Sequence, residues 1–326
     1  MTAPPVEVRR AVREALADLP AEALVVVACS GGPDSVALVA AARAERRRVG
    51  AVVVDHGLRP EAREQAAVTA GWLRRAGVDP VEVIAVSVVD TGDGPEAAAR
   101  DARYRALEEM CERVGAAVVL LGHTLDDQAE TVLLGLARGS GVRSLAGMPR
   151  VRGIFRRPML DLTRAVVRAA VPDDAPVVHD PHNADGRYAR ARVRHRVLPV
   201  LEHELGPGIA AALARTADLA RADADALDEL ALAIALDLKS WADIEGSLDI
   251  DDLLDLGVAV RSRVIRLWLR DSGVPAGALS ADHVGRVSRL VTHWRGQGAV
   301  ALPGGVEALR DCDRLSVRTS PRHLET

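Results

Sequence analysis

Short apolar runs alternate with amphipathic segments along the first 140 residues of the chain. Most of the apolar runs are uninterrupted, as expected for strands that are covered on both faces. They lie at residues 24–29, 50–54, 81–86 and 117–121. The segments that follow them have helical periodicity and lie at residues 34–46, 61–76, 95–114 and 125–137. This alternation predicts an α/β fold built on a doubly wound parallel sheet.

The pattern changes after residue 138, where turns and short apolar segments replace the regular alternation. A helix is predicted for 187–204, with a break or kink at Pro199 because proline has no N–H to donate. After Gly206-Pro207-Gly208 the chain is rich in Ala and Leu. Helices are predicted to about residue 240, then at 258–271 and 280–293, before a short β-like ending. We therefore predict two domains, a larger one at 1–205 and a smaller, mainly helical one at 206–326.

Charge and cysteine content exclude several classes of protein. The net charge is −4 and the pI is near 6.2, so any contact with nucleic acid must be a local basic patch. The three cysteines are far apart and form no C-x-x-C pair, which argues against zinc and iron–sulfur sites and for a reducing compartment. A polar N-terminus and the lack of a membrane-length apolar run lead us to expect a cytoplasmic protein.

A glycine turn joins the first apolar run to the next helix, with the sequence Ser30-Gly31-Gly32-Pro33-Asp34-Ser35. Backbone N–H groups and the positive end of a helix dipole meet at such a turn, which suits a phosphate. The serines add hydroxyl donors, and Asp34 adds a carboxylate that tolerates phosphate only with a cation between them, for which Mg²⁺ is the expected ion. The loop has no lysine and is not a Walker A motif. The alternative is a glycine turn with an N-cap serine.

Polar segments also follow two other predicted strands. They are Asp55-His56-Gly57-Leu58-Arg59 and the stretch from Gly122 to Thr131, which includes His123, Asp126 and Asp127. Since parallel strands end at one edge of a sheet, these segments are expected to share a rim with the glycine turn. A helix N-terminus favours carboxylates, which explains one of the two aspartates but not the whole set.

The motifs together resemble the tRNA(Ile)-lysidine synthase family of the PP-loop ATP pyrophosphatase superfamily, in its compact form without the last C-terminal domain. The resemblance covers residues 20–205 well and is weaker beyond, at 293–298 and 302–305. It departs at Thr124, where the family often has a second histidine, and at Ala191, where it has asparagine. The motifs that carry it are 30–35, 54–59, 99–104, 122–131, 136–141, 157–160 and 180–183.

The resemblance implies an ATP-dependent carbon–nitrogen ligase. ATP adenylates the C2 oxygen of the wobble cytidine in a tRNA(Ile) precursor with a CAU anticodon, and free L-lysine then displaces AMP to give lysidine, which changes decoding from Met to Ile. Asp34, Arg100 and Asp127 would be catalytic, and Asp34 and Asp127 would bind Mg²⁺. The ATP-binding residues would be Ser30, Gly31, Gly32, Pro33, Asp34, Ser35, His56 and His123. The smaller domain would contact tRNA.

An arginine-rich segment provides the local basic patch, with Arg187, Arg190, Arg192 and Arg194 as the tRNA-binding candidates. On one continuous helix, Arg187, Arg190 and Arg194 would share a face, suited to phosphate contacts. The alternative is a solvated charged face.

Aromatic residues near the expected site are few, and we interpret Tyr104, Trp268 and Trp294 as packing residues. Two rival functions remain open: tRNA thiolation and a non-catalytic nucleotide- or tRNA-binding module. The oligomeric state is not predicted.

Overall fold

The computed structural model describes residues 4–45, 47–55, 60–86, 95–139, 141–178, 185–241 and 246–320. His56 and most of the 55–59 segment lie outside these ranges. The chain forms two compact units, residues 1–218 and 219–326. The division falls inside the long helix α10 (Ile209–Trp241), and the sequence-based boundary near residue 205 stays a prediction.

A six-stranded sheet forms the centre of the first unit, with strand order β3-β2-β1-β4-β6-β5. Every pairing in it is parallel except that of β5 with β6. The strands are β1 (Leu24–Ala28), β2 (Arg48–Asp55), β3 (Val81–Ala85), β4 (Val118–Leu120), β5 (Val151–Arg152) and β6 (Phe155–Arg156). The predicted parallel sheet is therefore confirmed, and each of the four predicted strands is present.

Helices cover both faces of this sheet. Successive side chains of a strand point to opposite faces, so Val25 and Val27 pack with α1, α2, α3 and α7, whereas Val26 packs with α4. The helices are α1 (Val6–Ala15), α2 (Pro33–Ala44), α3 (Pro60–Arg75), α4 (Pro95–Val114), α5 (Leu125–Arg138), α6 (Val142–Leu145) and α7 (Arg164–Arg168). Burial on both faces explains the uninterrupted apolar runs of the central strands.

The adjacent strands β1 and β4 end at the same edge and bring α2 and α5 together. Gly122, just after β4, lies so close to α2 that a Cβ there would be 3.1 Å from the Asp34 carbonyl oxygen and 3.1 Å from the Ser35 nitrogen. A side chain at this position would push the two helix starts apart. The expectation that the first and fourth strand ends share one rim is confirmed.

The arginine-rich segment is not one regular helix. It consists of α8 (Ala189–Arg192), a π-helical turn at Val193–Val197 and α9 (Leu198–Glu204). Pro199 lies in the first turn of α9 and has no N–H, so the wider π turn before it accommodates the missing helical hydrogen bond. Arg187 precedes α8, so the prediction that Arg187, Arg190 and Arg194 share one helical face was wrong.

The second unit places helices against a four-stranded antiparallel sheet of order β7-β10-β9-β8. Trp268 is 4% exposed and donates to the Gly246 carbonyl at 2.9 Å, which confirms its core role. Trp294 is 37% exposed, so its assignment to the core was wrong. The elements are β7 (Leu248–Asp249), α11 (Ile250–Leu254), α12 (Val258–Asp271), α13 (Ala281–Thr292), β8 (Val300–Leu302), β9 (Val306–Asp311) and β10 (Arg314–Thr319).

Membrane insertion can be judged from the helices. Within the described ranges, none of them combines the length and the apolar character needed to cross a bilayer.

Candidate active site

The glycine turn is held in a conformation that only glycine adopts easily. Gly31 has a φ of +79°, and a Cβ there would lie 2.6 Å from Thr69 Oγ1 and 2.9 Å from Val178 Cγ2. The Val178 N–H donates to the Gly31 carbonyl at 2.9 Å, and the Ser35 hydroxyl donates to the Gly32 carbonyl at 2.8 Å. The turn is therefore fixed from both sides before any ligand binds.

The N-terminus of α2 lacks a side-chain cap. Gly32 is the N-cap residue and Pro33 is the first helical residue, and no described side chain caps the first turn. The hydroxyls of Ser30 and Ser35 are 3.4 Å apart at this end of the helix. Uncapped backbone N–H groups together with the Ser30 hydroxyl are suitable donors for the oxygens of a phosphate chain. The Ser35 hydroxyl already donates its proton to the Gly32 carbonyl.

Substitution of Gly31 by alanine is expected to weaken ATP binding and to destabilise the fold. The positive φ alone costs about 1–2 kcal/mol for a residue with a Cβ, and the new Cβ would displace Thr69 or Val178. Gly139→Ala is the matched control, because Gly139 also has a positive φ, of +63°, but has no atom within 4 Å of the added Cβ. We expect a raised KM for ATP in G31A only; an equal KM in both variants would contradict this role of the turn.

Asp127, in the first turn of α5, is buried and fully hydrogen-bonded. Its Oδ2 accepts from the Thr124 N–H and hydroxyl, both at 2.9 Å, and its Oδ1 accepts from Arg194 at 2.9 Å and Arg164 at 3.3 Å. Burial alone would raise the pKa of this carboxyl, but the Thr124 N–H and the arginine charges outweigh it and hold the pKa below its ordinary value. Asp127 is therefore a stably ionised group.

Asp34, in the first turn of α2, has the opposite surroundings. Among the residues that the structure describes, its buried Oδ1 has no hydrogen-bond partner, and the nearest cation, Arg168 Nε, is 4.0 Å away, too far for a hydrogen bond. Burial, followed by the negative charge of Asp127, raises the pKa of the Asp34 carboxyl above its ordinary value. An ionised Asp34 is thus under-compensated and is suited to a cation.

Mg²⁺ fits these two carboxylates unequally. Asp34 has a free oxygen of the kind that Mg²⁺ prefers. Both oxygens of Asp127 already accept two hydrogen bonds each, so direct coordination there would require the release of an arginine. Over the ranges that the structure describes, no group of three or more His, Cys, Asp or Glu side chains forms a ready-made metal cage. A site with few protein ligands is usual for Mg²⁺, which keeps waters and binds phosphates.

Glu130, one turn after Asp127, is fully buried and ion-paired with three arginines. Arg194 Nε lies 2.7 Å from Oε1, Arg190 Nε 3.0 Å from Oε2, and Arg164 Nη2 3.1 Å from Oε1. Arg164 and Arg194 also contact Asp127, so one network joins α5, α7 and the arginine-rich segment. Sequence reasoning missed Glu130 and Arg164 as members of the site. The signal for Glu130 was its position three residues after Asp127 on one face of the same helix. No local signal marked Arg164.

The four tRNA-binding candidates have partners within the protein. Arg190 and Arg194 pair with Glu130, as described above. Arg192 Nη1 donates to the Gly186 and Arg187 carbonyls at 2.9 and 2.7 Å. Arg187 pairs with Asp185 at the surface. Their contact with tRNA stays a prediction, and the structure assigns Arg190 and Arg194 a role in bracing the carboxylates.

Four arginines surround Tyr104 on one side of the sheet. Arg157 is 2% exposed and donates to the Tyr104 hydroxyl at 2.9 Å, and the guanidinium groups of Arg100, Arg103 and Arg152 lie 5.7–5.8 Å from the ring centroid. Within the described part of the chain, none of the four pairs with a carboxylate. Burial would raise the pKa of the Tyr104 phenol, but the charges of Arg157 and Arg100 outweigh it and lower the pKa. Such a cluster is suited to an anion.

His123 follows β4 and is in its neutral form at pH 7. Burial is the main cause that lowers the pKa of the ring, to about 3. The charge of Asp127 acts in the opposite direction, and the charges of Arg157 and Arg190 lower the pKa further. Its Nδ1 is buried without a hydrogen-bond partner. The ring is thus available for a ligand contact between the carboxylates and the Tyr104 cluster.

Two family models match the chain. One, described as a PP-loop domain, matches residues 4–201, and one described as the TilS substrate binding domain matches residues 248–316. Among solved structures, the U34-tRNA thiolase NcsA from Methanococcus maripaludis superposes with a TM-score of 0.53 and 17% identity, covering 66% of this chain and 79% of its own. That likeness concerns the fold alone.

Curated relatives match almost the full length. The tRNA(Ile)-lysidine synthase of Salinispora arenicola (strain CNS-205) is 52% identical, covering 97% of each chain. That of Thermobifida fusca (strain YX) is 53% identical, covering 96% of this chain and 98% of its own. The glycine turn, the aspartates in the first turns of two adjacent helices and this degree of identity agree on one assignment: the chain belongs to the tRNA(Ile)-lysidine synthase family.

Proposed function

We propose that this chain joins free L-lysine to the wobble cytidine of a tRNA(Ile) precursor with a CAU anticodon, at the expense of ATP. The C2 oxygen of the cytidine attacks the α-phosphorus of ATP, an O–P bond forms, and pyrophosphate leaves. The lysine amine then attacks C2, loses a proton, and displaces AMP as the C2–O bond breaks. The product, lysidine, pairs with A and changes decoding from Met to Ile.

The glycine turn is the proposed pyrophosphate site. The uncapped N–H groups of α2 and the Ser30 hydroxyl would neutralise the charge that develops on the leaving pyrophosphate, and the Ser35 hydroxyl would join them if it released the Gly32 carbonyl. Because the Val178 N–H and the Ser35 hydroxyl fix the carbonyls of Gly31 and Gly32, the backbone donors are in place before ATP binds. Preorganised donors of this kind contribute more to catalysis than donors that must be rearranged.

Asp34 is the proposed direct ligand of Mg²⁺, and Asp127 is the second carboxylate of that site. Bound Mg²⁺ would neutralise phosphate charge and polarise the reacting phosphoryl group. The single observation that carries the proposal is the buried Asp34 Oδ1 without a partner at the phosphate-facing end of α2. An orphaned carboxylate oxygen at this position is costly unless a cation occupies it.

The cluster around Tyr104 is the proposed contact for the negatively charged substrate, with Arg100 as its catalytic member. Arg100 is exposed and lies over the ring, so it can reach a phosphate or the cytosine without leaving the cluster. His123 would contact ATP through its unpaired nitrogen. The second unit, which matches the substrate-binding model, would hold another part of the tRNA. Since the substrate is tRNA, we place the protein in the cytoplasm.

Thiolation is disfavoured by the surroundings of the cysteines. Burial raises the pKa of the Cys29 and Cys111 thiols, which makes them poor nucleophiles at neutral pH. Cys312 is exposed and lies in the second unit.

The proposed function is tested by incubating the purified chain with a tRNA(Ile) transcript, ATP and labelled lysine. We expect labelled tRNA only when ATP and Mg²⁺ are both present, and no labelling of a transcript whose wobble cytidine is replaced by uridine. Labelling without ATP, or labelling by arginine as readily as by lysine, would contradict the proposal.

A further inference from the structure

Tyr188 differs from every other Phe, Tyr or Trp residue of the first unit because it is exposed. The whole chain has one Phe, two Tyr and four Trp, and the first unit contains Trp72, Tyr104, Phe155 and Tyr188. The first three are 3%, 9% and 2% exposed, whereas Tyr188 is 41% exposed. The rings of Tyr104 and Phe155 contact each other, with centroids 4.7 Å apart, and guanidinium groups surround Tyr104. Tyr188 is therefore the most exposed aromatic side chain of this unit.

The turn that carries Tyr188 is braced by side chains. Asp185 accepts from the Arg187 N–H at 2.9 Å and from Arg187 Nε at 2.8 Å. Arg192 donates to the carbonyls of Gly186 and Arg187, and the Tyr188 N–H donates to the Asp185 carbonyl at 3.1 Å. These bonds hold the backbone of the turn in one conformation and neutralise the Asp185 carboxylate, which would otherwise repel a polyanion.

The same turn is anchored to the helix that carries Asp127. Arg190 follows Tyr188 by two residues, and its Nη2 donates to the Asp127 carbonyl at 3.2 Å and to Thr131 Oγ1 at 3.1 Å. Its Nε is 3.0 Å from Glu130. The backbone of Tyr188 is therefore held beside the first turns of α5, next to the proposed reaction site.

We propose that Tyr188 is a stacking platform for a base of the tRNA anticodon loop. This inference rests on the proposed function, because cytidine C2 must leave the base stack to meet ATP. An unstacked base needs an aromatic or guanidinium face to replace its lost neighbours, and single-stranded RNA is commonly bound in this way. An exposed ring on a turn that is anchored to the helix of Asp127 and Glu130 meets that need.

The test compares Tyr188→Ala and Tyr188→Phe in steady-state lysidine formation and in equilibrium binding of the tRNA transcript. Loss of one base–aromatic stack costs about 1–3 kcal/mol, so Y188A should raise the KM and the Kd for tRNA about 5- to 150-fold. Y188F, which keeps the ring, should restore both values to within about threefold of the wild type. The KM for ATP and the melting temperature should stay unchanged in both variants. Val197→Ala, at an apolar residue 41% exposed on the same segment, is the matched control.

Three results would overturn the inference. They are an unchanged tRNA Kd in Y188A, an effect of equal size in V197A, and a raised KM for ATP instead of tRNA, which would assign the ring to adenine. The equilibrium binding measurement distinguishes failure of the proposed function from failure of the stacking role. If the wild type binds the transcript but forms no lysidine, the proposed function fails, and the Kd of Y188A still decides the role of Tyr188. If the wild type does not bind the transcript, both fail.

Discussion

Replacement of Asp34 by asparagine is expected to abolish lysidine formation while raising the melting temperature of the metal-free protein. The change removes the free carboxylate oxygen proposed for Mg²⁺, so kcat should fall at least about 100-fold, the scale of losing one group that stabilises transition-state charge. It also removes a charge that burial and Asp127 disfavour. Activity and thermal unfolding in the presence of a chelator measure the two effects.

The sign of the stability effect follows from the direction of the pKa. The folded-state pKa of Asp34 lies above its ordinary value, so ionisation costs stability once the pH exceeds the folded-state pKa. The cost is absent below the unfolded-state pKa, where the carboxyl is protonated in both states. The D34N variant carries no such cost at neutral pH. A lower melting temperature for D34N would show that the Asp34 carboxylate is stabilising and would remove the argument for a cation.

Asp127→Asn provides the matched comparison because the pKa of Asp127 is shifted the other way. Its ionised form is stabilised by Thr124 and by the arginines, and that stability is present above the unfolded-state pKa and lost as the pH falls through the folded-state pKa. D127N should therefore lower the melting temperature at neutral pH. If D34N and D127N are both inactive but D34N melts at a higher and D127N at a lower temperature than the wild type, the two carboxylates have different roles.

Replacement of Glu130 by glutamine is expected to destabilise the first unit strongly. The change leaves Arg164, Arg190 and Arg194 around a neutral group inside the protein. Removal of one partner from a buried ion pair costs about 3–5 kcal/mol, which corresponds to a melting temperature lower by on the order of 10 °C for a unit of this size. Thermal unfolding followed by circular dichroism measures the shift.

Glu45→Gln is the control for Glu130, since Glu45 is another largely buried carboxylate held by arginines. Its partners, Arg9 and Arg13, are 33% and 58% exposed and can be solvated when the charge is lost. E45Q should therefore shift the melting temperature by only a few degrees, as expected for partners near solvent. Similar shifts in E130Q and E45Q would contradict the view that the buried Glu130 charge is required by its three arginines.

The central sheet and the location of the site were predictable because both depend on local pattern. Buried parallel strands appear as uninterrupted apolar runs, and the strand ends of such a sheet converge. The glycine turn at 30–35 and the start of α5 each follow a parallel strand, so the alternation alone placed both at the carboxyl edge of the sheet. That β1 and β4 are neighbours in the sheet is a long-range pairing, which only the structure shows.

The partners of the arginines were not predictable from local pattern. Arg190 and Arg194 read as a basic patch, because their carboxylate, Glu130, lies 60 and 64 positions earlier in the chain. Arg187 lies in the turn before α8, so spacing alone assigned it to a helical face that it does not share. Pairing over such separations depends on tertiary packing and leaves no periodic signal.

The most direct test of the account follows both substrates in one reaction with ATP labelled at the α-phosphate, labelled lysine and the tRNA(Ile) transcript. One AMP should be released for each lysine attached to tRNA, and D34N should form neither AMP nor labelled tRNA. Formation of ADP in place of AMP, or AMP release that proceeds equally without lysine and tRNA, would contradict it.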